Sequence, residues 1–296
     1  RGLGDVYKRQ LFSEMVLIDV DKDRAEGEAM DISHGASFAG PMKIYAGGYE
    51  DVGDAAIIVI TAGANQKPNE TRLDLVQKNA KIMTDVVTQI KEQEYKGILL
   101  IVSNPVDIMT QVAMEVSGFP EHRVFGSGTV LDSARLRYHL GQHLGVDSRS
   151  VHAFVIGEHG DSEIAAWSSA NVSGVPLNSF CEMRGHFNHE GNTESIEEQV
   201  KNSAYEIIAK KDATYYGIAM VVKRICQAIV RDEKSIFPIS LRMHGEYALE
   251  DVVLSMPAIV GARGIETTIP ISLDEKEVSR LHESAEMLRE TRKEIR

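Results

Sequence analysis

The chain has 296 residues, 43% of them hydrophobic, with 44 acidic against 32 basic side chains and a formal net charge of −12. That length suits one large domain or two ordinary ones, and the acidic balance excludes a non-specific nucleic-acid binder, which needs a basic face. No uninterrupted apolar run approaches the roughly 18 residues of a membrane span, and no signal peptide is visible, so a cytoplasmic protein without a membrane partner is expected.

Taken in order, Arg1 to Gln10 carries charge but no strand pattern. Met15 to Val20 predicts a strand ending on Asp19, and Asp21 to Gly35 predicts a helix. An acid at the end of a strand in this setting is the usual ligand of the adenosine ribose hydroxyls; a plain helix cap is the alternative. The Gly-x-Gly-x-x-Gly turn that should precede such an acid by about 20 residues is absent. Gly2 and Gly4 have the first spacing, but the third position is Tyr7. Ala55 to Thr61 reads as a buried parallel strand, running into Gly63 and Ala64, where small residues let a backbone come close to a ligand. A polar loop from Asn65 to Thr71 leads into a helix from Arg72 to Glu92. Gly97 to Ser103 is a second buried strand, which puts Asn104 at its C-terminal end, where open α/β sheets bind ligands. Pro105 then opens a helix, and Val124 to Gly128 is the last short strand.

This alternation predicts a doubly wound, parallel, Rossmann-like sheet over residues 1–127, lacking its first strand and Gly-rich turn. Residues 128–296 read as an α+β domain. Ser195 to Arg231 looks helical, while Ser235 to Met243 and Asp251 to Ile271 carry the breaks of antiparallel hairpins. From Asp274 a charged amphipathic helix sets Val278, Leu281, Ala285 and Leu288 on one stripe, core or interface. The two cysteines, Cys181 and Cys226, form no spaced framework and predict reduced, inert thiols.

Two stretches carry chemistry. Val151 to Ile156 reads as one buried strand that stops at Gly157, followed by Glu158, His159, Gly160 and Asp161. A histidine between glycines can be pushed into a cleft and can move a proton near neutral pH; a surface-loop histidine is the bland alternative. Val130 to Tyr138 places Asp132 and Arg135 three apart, on one face of a helix, either as a surface ion pair or as a working pair beside that histidine. Histidine, an orienting carboxylate and an arginine for an anion make a catalytic set. With net charge negative, such an anion must be drawn in by local arginines rather than by the overall field.

TAGANQKPNETRLDL from Thr61, SNPVD from Ser103, LDSARLR from Leu131 and GEHGD from Gly157 occur in one order. Together they make the chain resemble the bacterial, NAD-dependent L-lactate dehydrogenases, from about Val16 to near the C-terminus. The resemblance implies reduction of pyruvate by NADH, with His159 as proton donor, Asp132 as its orienter and Arg135 on the substrate carboxylate. It implies that the loop from Asn65 to Thr71 closes and brings Arg72 to the carbonyl oxygen, and that Asn104 also meets the substrate. Thr214 matches the residue at the substrate methyl and Ile218 the one behind the nicotinamide; helix packing is the plainer role for both. Asp19, with Arg24 nearby, would hold NAD, helped by Tyr49, Gly63, Ala64, Val102, Ser103, Asn104 and Ser127. No metal is implied.

Gln66 stands where related malate dehydrogenases carry an arginine. Burying an unpaired second carboxylate is costly, so a small monocarboxylic 2-oxo acid, pyruvate first, is expected. Arg137 points away from Arg135 on the helix. In allosteric bacterial relatives, residues matching Arg137 and His152 bind fructose 1,6-bisphosphate between subunits, so a homotetramer activated by that effector is expected. Rival readings are a malate or bulkier 2-hydroxy-acid dehydrogenase, or a non-catalytic protein with a defective cofactor site. The last follows from the N-terminal stretch: only 18 residues precede Asp19, whereas a strand, Gly-rich turn and helix need roughly 30. It predicts a truncated or replaced N-terminus and weak NAD binding.

Overall fold

In the computed structural model, which describes residues 11–38, 40–64 and 72–295 (the side chains of Ser37 and Arg72 excepted), strand and helix alternate through the first half. Strand β1 is Glu14–Leu17, helix α1 Lys22–His34, β2 Lys43–Ala46, β3 Ile57–Ile60, α2 Arg72–Glu92, β4 Ile98–Ile101, α3 Val106–Ser117 and β5 Val124–Gly126. β1 and β2 are parallel, in register from Glu14 opposite Lys43 to Leu17 opposite Ala46. β3, β4 and β5 form a second parallel set. The cap of α1 is Asp21, whose carboxylate accepts the Arg24 N–H at 3.1 Å. Asp19 lies outside the helix and takes the Asp21 N–H at 3.0 Å.

The second half holds α4 Val130–Leu144, β6 Val151–His152, β7 Val155–Ile156, β8 Ile164–Ala165, β9 Asn171–Val172, β10 Val175–Pro176, α5 Leu177–Met183, α6 His189–Lys211 and α7 Tyr216–Val230. β11 Ser235–His244, β12 Glu250–Gly261, β13 Gly264–Thr268 and α8 Glu275–Glu294 follow. The hairpins are antiparallel, with Ser240 opposite Ser255 and Ala258 opposite Thr268. On α8 the stripe faces the core: Leu281, Ala285 and Leu288 are buried. Asp274 and Glu277 close a reciprocal capping box at its start.

Three sequence readings need correction. The run Val151 to Ile156 is not one strand. β6 pairs with β9 and β7 with β8, in separate small sheets. The stretch Ala55 to Thr61 is shorter as a strand and only half-buried at Ile57, Ile58 and Val59. The reason is positional: β3 ends its sheet and pairs only with β4 among the described residues. A cavity of about 1800 Å³ lies beside it, walled by Val16, Asp19 and Arg24 on one side and Ile57, Val59 and Cys226 on the other. Finally, β5 is the last of the parallel strands but not the edge of its sheet. β11 joins it antiparallel through Ser240 opposite Gly126, giving one mixed sheet in the order β13-β12-β11-β5-β4-β3.

That joint is tight. A Cβ on Gly126 would lie 2.4 Å from Thr110 Oγ1 and 2.8 Å from Ser240 Cβ, so only glycine lets β5, α3 and β11 meet. The main core forms around it from Leu99, Leu100, Ile101, Met109, Phe125, Leu254 and Met256, all fully buried. Each such side chain contributes roughly 1.5–3 kcal/mol through burial. A second cluster joins Leu136, Leu140 and Leu144, four apart on α4, to Val151, Val155, Val172 and Ile196. α4 is therefore gripped from both sides, which fixes the helix carrying Asp132. Among the described residues no helix is long and apolar enough to cross a membrane. Both cysteines are free and buried.

Candidate active site

Asp132 lies in the first turn of α4 and His159 in the loop after β7, and backbone bonds bring them together. Thr129 Oγ1 donates to the Val155 carbonyl at 2.5 Å, and Ser133 Oγ accepts the Val155 N–H at 2.8 Å. β7 is thereby fixed to the start of α4 on either side of Asp132. Gly157 then bridges to Ser255 through two backbone bonds of 2.9 and 2.8 Å. Its φ is +85° and an added Cβ would stand 3.0 Å from Ser284 Oγ, so the turn requires glycine. Glu158 N–H donates to Ser284 Oγ at 2.8 Å, and His159 N–H donates to Asp107 Oδ2 at 2.7 Å.

Held in this way, His159 Nδ1 lies 2.6 Å from Asp132 Oδ2. The other carboxylate oxygen, Asp132 Oδ1, accepts from Arg135 Nη1 at 2.5 Å. The pair is not superficial: the side chains of Asp132 and Arg135 are 3% and 14% exposed, and that of His159 is 27% exposed. Among the described residues, the remaining guanidinium donors of Arg135 have no hydrogen-bond partner. Two helix N-termini serve one histidine, Asp132 in the first turn of α4 and Asp107 in that of α3, where the helix dipole favours carboxylates.

Burial alone would lower the imidazole pKa, but the Asp132 carboxylate, with Asp107 and Glu163 behind it, raises it to about 9. Burial acts to raise Asp132, and its bonds to His159 and Arg135 override this and hold it below the usual carboxylate range. Asp107 is pushed up to about 6 by burial, against the donors Ser240 Oγ (2.6 Å) and His159 N–H. At neutral pH the arrangement keeps a protonated imidazole braced at Nδ1, so it can hand a proton over from Nε2.

The other expected residues are spread along strand and helix ends. Asn104 follows β4, and its carbonyl accepts from Asn79 Nδ2 at 3.0 Å. Asn79 Oδ1 takes the Ala64 N–H at 2.8 Å, which ties Gly63 and Ala64, after β3, to that same strand end. Ser103 Oγ donates to the Ala62 carbonyl at 2.5 Å, Ser127 is buried, and Val102 is half-buried. Tyr49 is in a short helical turn and its phenol is pushed up by burial. Thr214 precedes α7 and Ile218 lies in its first turn; both are half-buried. Gln66 lies outside the described residues, as does Arg1 to Gln10, and of Arg72 only the backbone is described. Arg137 is half-buried, its Nε donating to the Ser133 carbonyl at 3.2 Å, while His152 is exposed on β6, which packs against α4.

Sequence reasoning missed Asp107 and Glu163. Asp107 sits inside the quoted SNPVD but reads as an ordinary acid in a helix's first turn. Glu163 follows His159 by four residues in a loop with no periodicity to place it, yet it is 3% exposed.

The residues present fit a nicotinamide dinucleotide. Asp19 is exposed on the wall of the large cavity with Arg24 beside it, a carboxylate suited to ribose hydroxyls. The apolar strand residues Val16, Ile57 and Val59 line part of that wall beside the acids Glu28, Asp31 and Glu50, and the strand ends at Ala64 and Asn104 lead from β3 to β4.

Comparison with known proteins agrees with this geometry. The model of the lactate/malate dehydrogenase NAD-binding domain matches residues 5–126, starting inside the stretch that from sequence alone looks unlike the family. That of the lactate/malate dehydrogenase alpha/beta C-terminal domain matches residues 129–296. An L-lactate dehydrogenase of Acetivibrio thermocellus is 48% identical over 280 residues, 95% of this chain and 88% of the relative. A solved lactate dehydrogenase from a Medee basin deep-sea metagenome library superposes with a TM-score of 0.95 at 45% identity, covering 98% of this chain and 93% of the other. The minor L-lactate dehydrogenase of Enterococcus mundtii, in its ligands-bound form, gives 0.96 at 40% identity over 99% and 93%.

Proposed function

Because the chain belongs to the lactate/malate dehydrogenase family, we infer that it is an NAD-dependent L-lactate dehydrogenase, which reduces pyruvate to L-lactate and runs the reverse oxidation. The observation that carries the assignment of roles is the buried Asp132 carboxylate, bonded to His159 through one oxygen and to Arg135 through the other. NAD, when bound, carries the hydride; Asp19 would hold it with Arg24, Tyr49, Gly63, Ala64, Val102, Ser103, Asn104, Ser127 and Ile218.

His159 gives its Nε2 proton to the carbonyl oxygen as negative charge develops there, and takes it back in the oxidation of lactate. Asp132 fixes the ring and stabilises the imidazolium, the part an acid plays in a hydrolytic triad. Arg135 offers its remaining N–H groups to the substrate carboxylate, a planar two-pronged match that lysine cannot give. Arg72 stabilises the developing charge on the carbonyl oxygen once water is excluded. Asn104 also contacts the substrate, and Thr214 packs against its methyl. The residue boundary between the cofactor and substrate halves is proposed at 127/128.

Gln66 sets the substrate. Spectrophotometric oxidation of NADH tests both the function and this residue: wild type should consume NADH with pyruvate and far more slowly with oxaloacetate. Gln66→Arg should raise the oxaloacetate-to-pyruvate ratio of kcat/KM by about 10²-fold or more, since a buried second carboxylate gains a charged partner. An unchanged ratio would mean that Gln66 does not read the far end of the substrate, and wild type inactive on pyruvate would end the functional reading.

We further propose a cytoplasmic homotetramer activated by fructose 1,6-bisphosphate. Arg137 and His152, on adjoining elements, would collect its phosphates at a subunit interface. Titration with the effector should lower the apparent KM for pyruvate, and Arg137→Gln should remove that response. A wild type that ignores the effector would remove the regulatory site and leave the catalytic one standing.

A further inference from the structure

Glu163 has no part in the reaction as so far described, yet it is buried against the proton donor. One carboxylate oxygen of Glu163, one of Asp132 and a ring nitrogen of His159 all lie within 4.8 Å of one another. No side-chain hydrogen bond to Glu163 occurs among the described residues; only its backbone is engaged, by Gly160 and by Arg280 Nη2 at 3.4 Å from its carbonyl. A buried carboxylate without a partner is costly. Asp132 already braces the ring, so Glu163 is not needed to orient it.

We propose that Glu163 is a positioning residue for charge: its carboxylate places a second negative charge beside His159, keeps the imidazole protonated into alkaline solution, and so sets the upper pH limit of pyruvate reduction. This rests on His159 being the proton donor. The charged groups around the pair are Asp132 and Arg135 from α4, Asp107 from α3, Lys201 and Glu197 from α6 and Arg280 from α8. Glu197 is engaged by both Lys201 and Arg280. That leaves Asp132, Asp107 and Glu163 as the negative neighbours acting on the imidazole. Burial, and then the Asp132 charge, push Glu163 up to about 8, while His159 stands near 9. In its ionised form Glu163 sets a negative charge within 4.8 Å of the ring nitrogen, which holds the proton on the imidazole. A carboxylate at this distance raises a histidine's pKa, so its removal must lower it.

The test is the pH dependence of kcat/KM for pyruvate with saturating NADH, read as the position of the alkaline limb and not its height. Wild type should fall through about pH 9, the value for His159. In Glu163→Gln the limb should move toward neutral by about one pH unit or more, because opposite charges within about 4–6 Å shift a pKa by roughly one to three. The acid limb of lactate oxidation should move down with it, since that direction needs the neutral ring. Glu163→Asp should restore most of the wild-type position. Glu163→Ser gives a second neutral variant should the glutamine form not fold. A limb that stays at the wild-type position in a folded neutral variant overturns the proposal. A wild type with no alkaline limb between about pH 8 and 10 overturns the donor assignment as well, which separates the two failures.

Discussion

His159→Ala is expected to lower kcat for pyruvate reduction by about 10²–10⁴-fold, the range supplied by a positioned general acid. The ring is the proton source that both carboxylates brace, Asp132 at Nδ1 and Asp107 at the backbone N–H. Alanine keeps that backbone bond, so the loop should keep its course and the expected loss is chemical. The check is stopped-flow turnover together with NADH fluorescence titration. Turnover should collapse while the Kd for NADH stays within a few-fold of wild type, because the residues proposed for the cofactor lie on other strand ends. A His159→Ala enzyme that still turns over would end the donor reading.

Asp132→Asn should be comparably severe, about 10³–10⁴-fold in kcat, as when the acid of a hydrolytic triad becomes an amide. Its two oxygens serve two partners, His159 and Arg135. An amide has only one acceptor oxygen, so either the imidazole or the guanidinium then faces an N–H₂ group. The sign for the histidine follows from the causes of its shift. Burial lowers its pKa, and Asp132 is the largest of the influences that raise it, ahead of Asp107 and Glu163. Without that charge the ring should lose its proton at a lower pH than in the wild type and have less to give at neutral pH. Pyruvate reduction should accordingly recover in part as pH is lowered, whereas wild type should show no such recovery. An Asp132→Asn enzyme with a wild-type kcat and pH profile would mean that this carboxylate serves packing alone.

The catalytic pair was legible in sequence because each member sits in a local pattern: a histidine between glycines, and an Asp-x-x-Arg step on a helix. The parallel β3-β4-β5 set and its helices were legible from apolar runs between turn formers. What was not legible depends on the third dimension. The apolar run from Val151 to Ile156 gave no sign that it divides between two sheets, since burial on both faces looks the same in either case. Asp107 and Glu163 reach His159 only through the packing of α3 and of the loop after Gly160. The pairing of β11 with β5 rests on a single opposed pair, Ser240 and Gly126, and leaves no trace in periodicity.

That last joint has a mechanical consequence. Among the described residues, strand pairing runs from β3 through the single opposed pair at Gly126 and Ser240 to β13. Among the described residues, strands from before and after residue 127 therefore share one sheet, and a large swing of one set against the other would break the pairing at Gly126. The distance between strand ends at Asn104 and the donor at His159 is set when the chain folds, before any ligand arrives. Whatever moves during a turnover has to be small and local, carried by side chains and connecting segments over a frame that stays still.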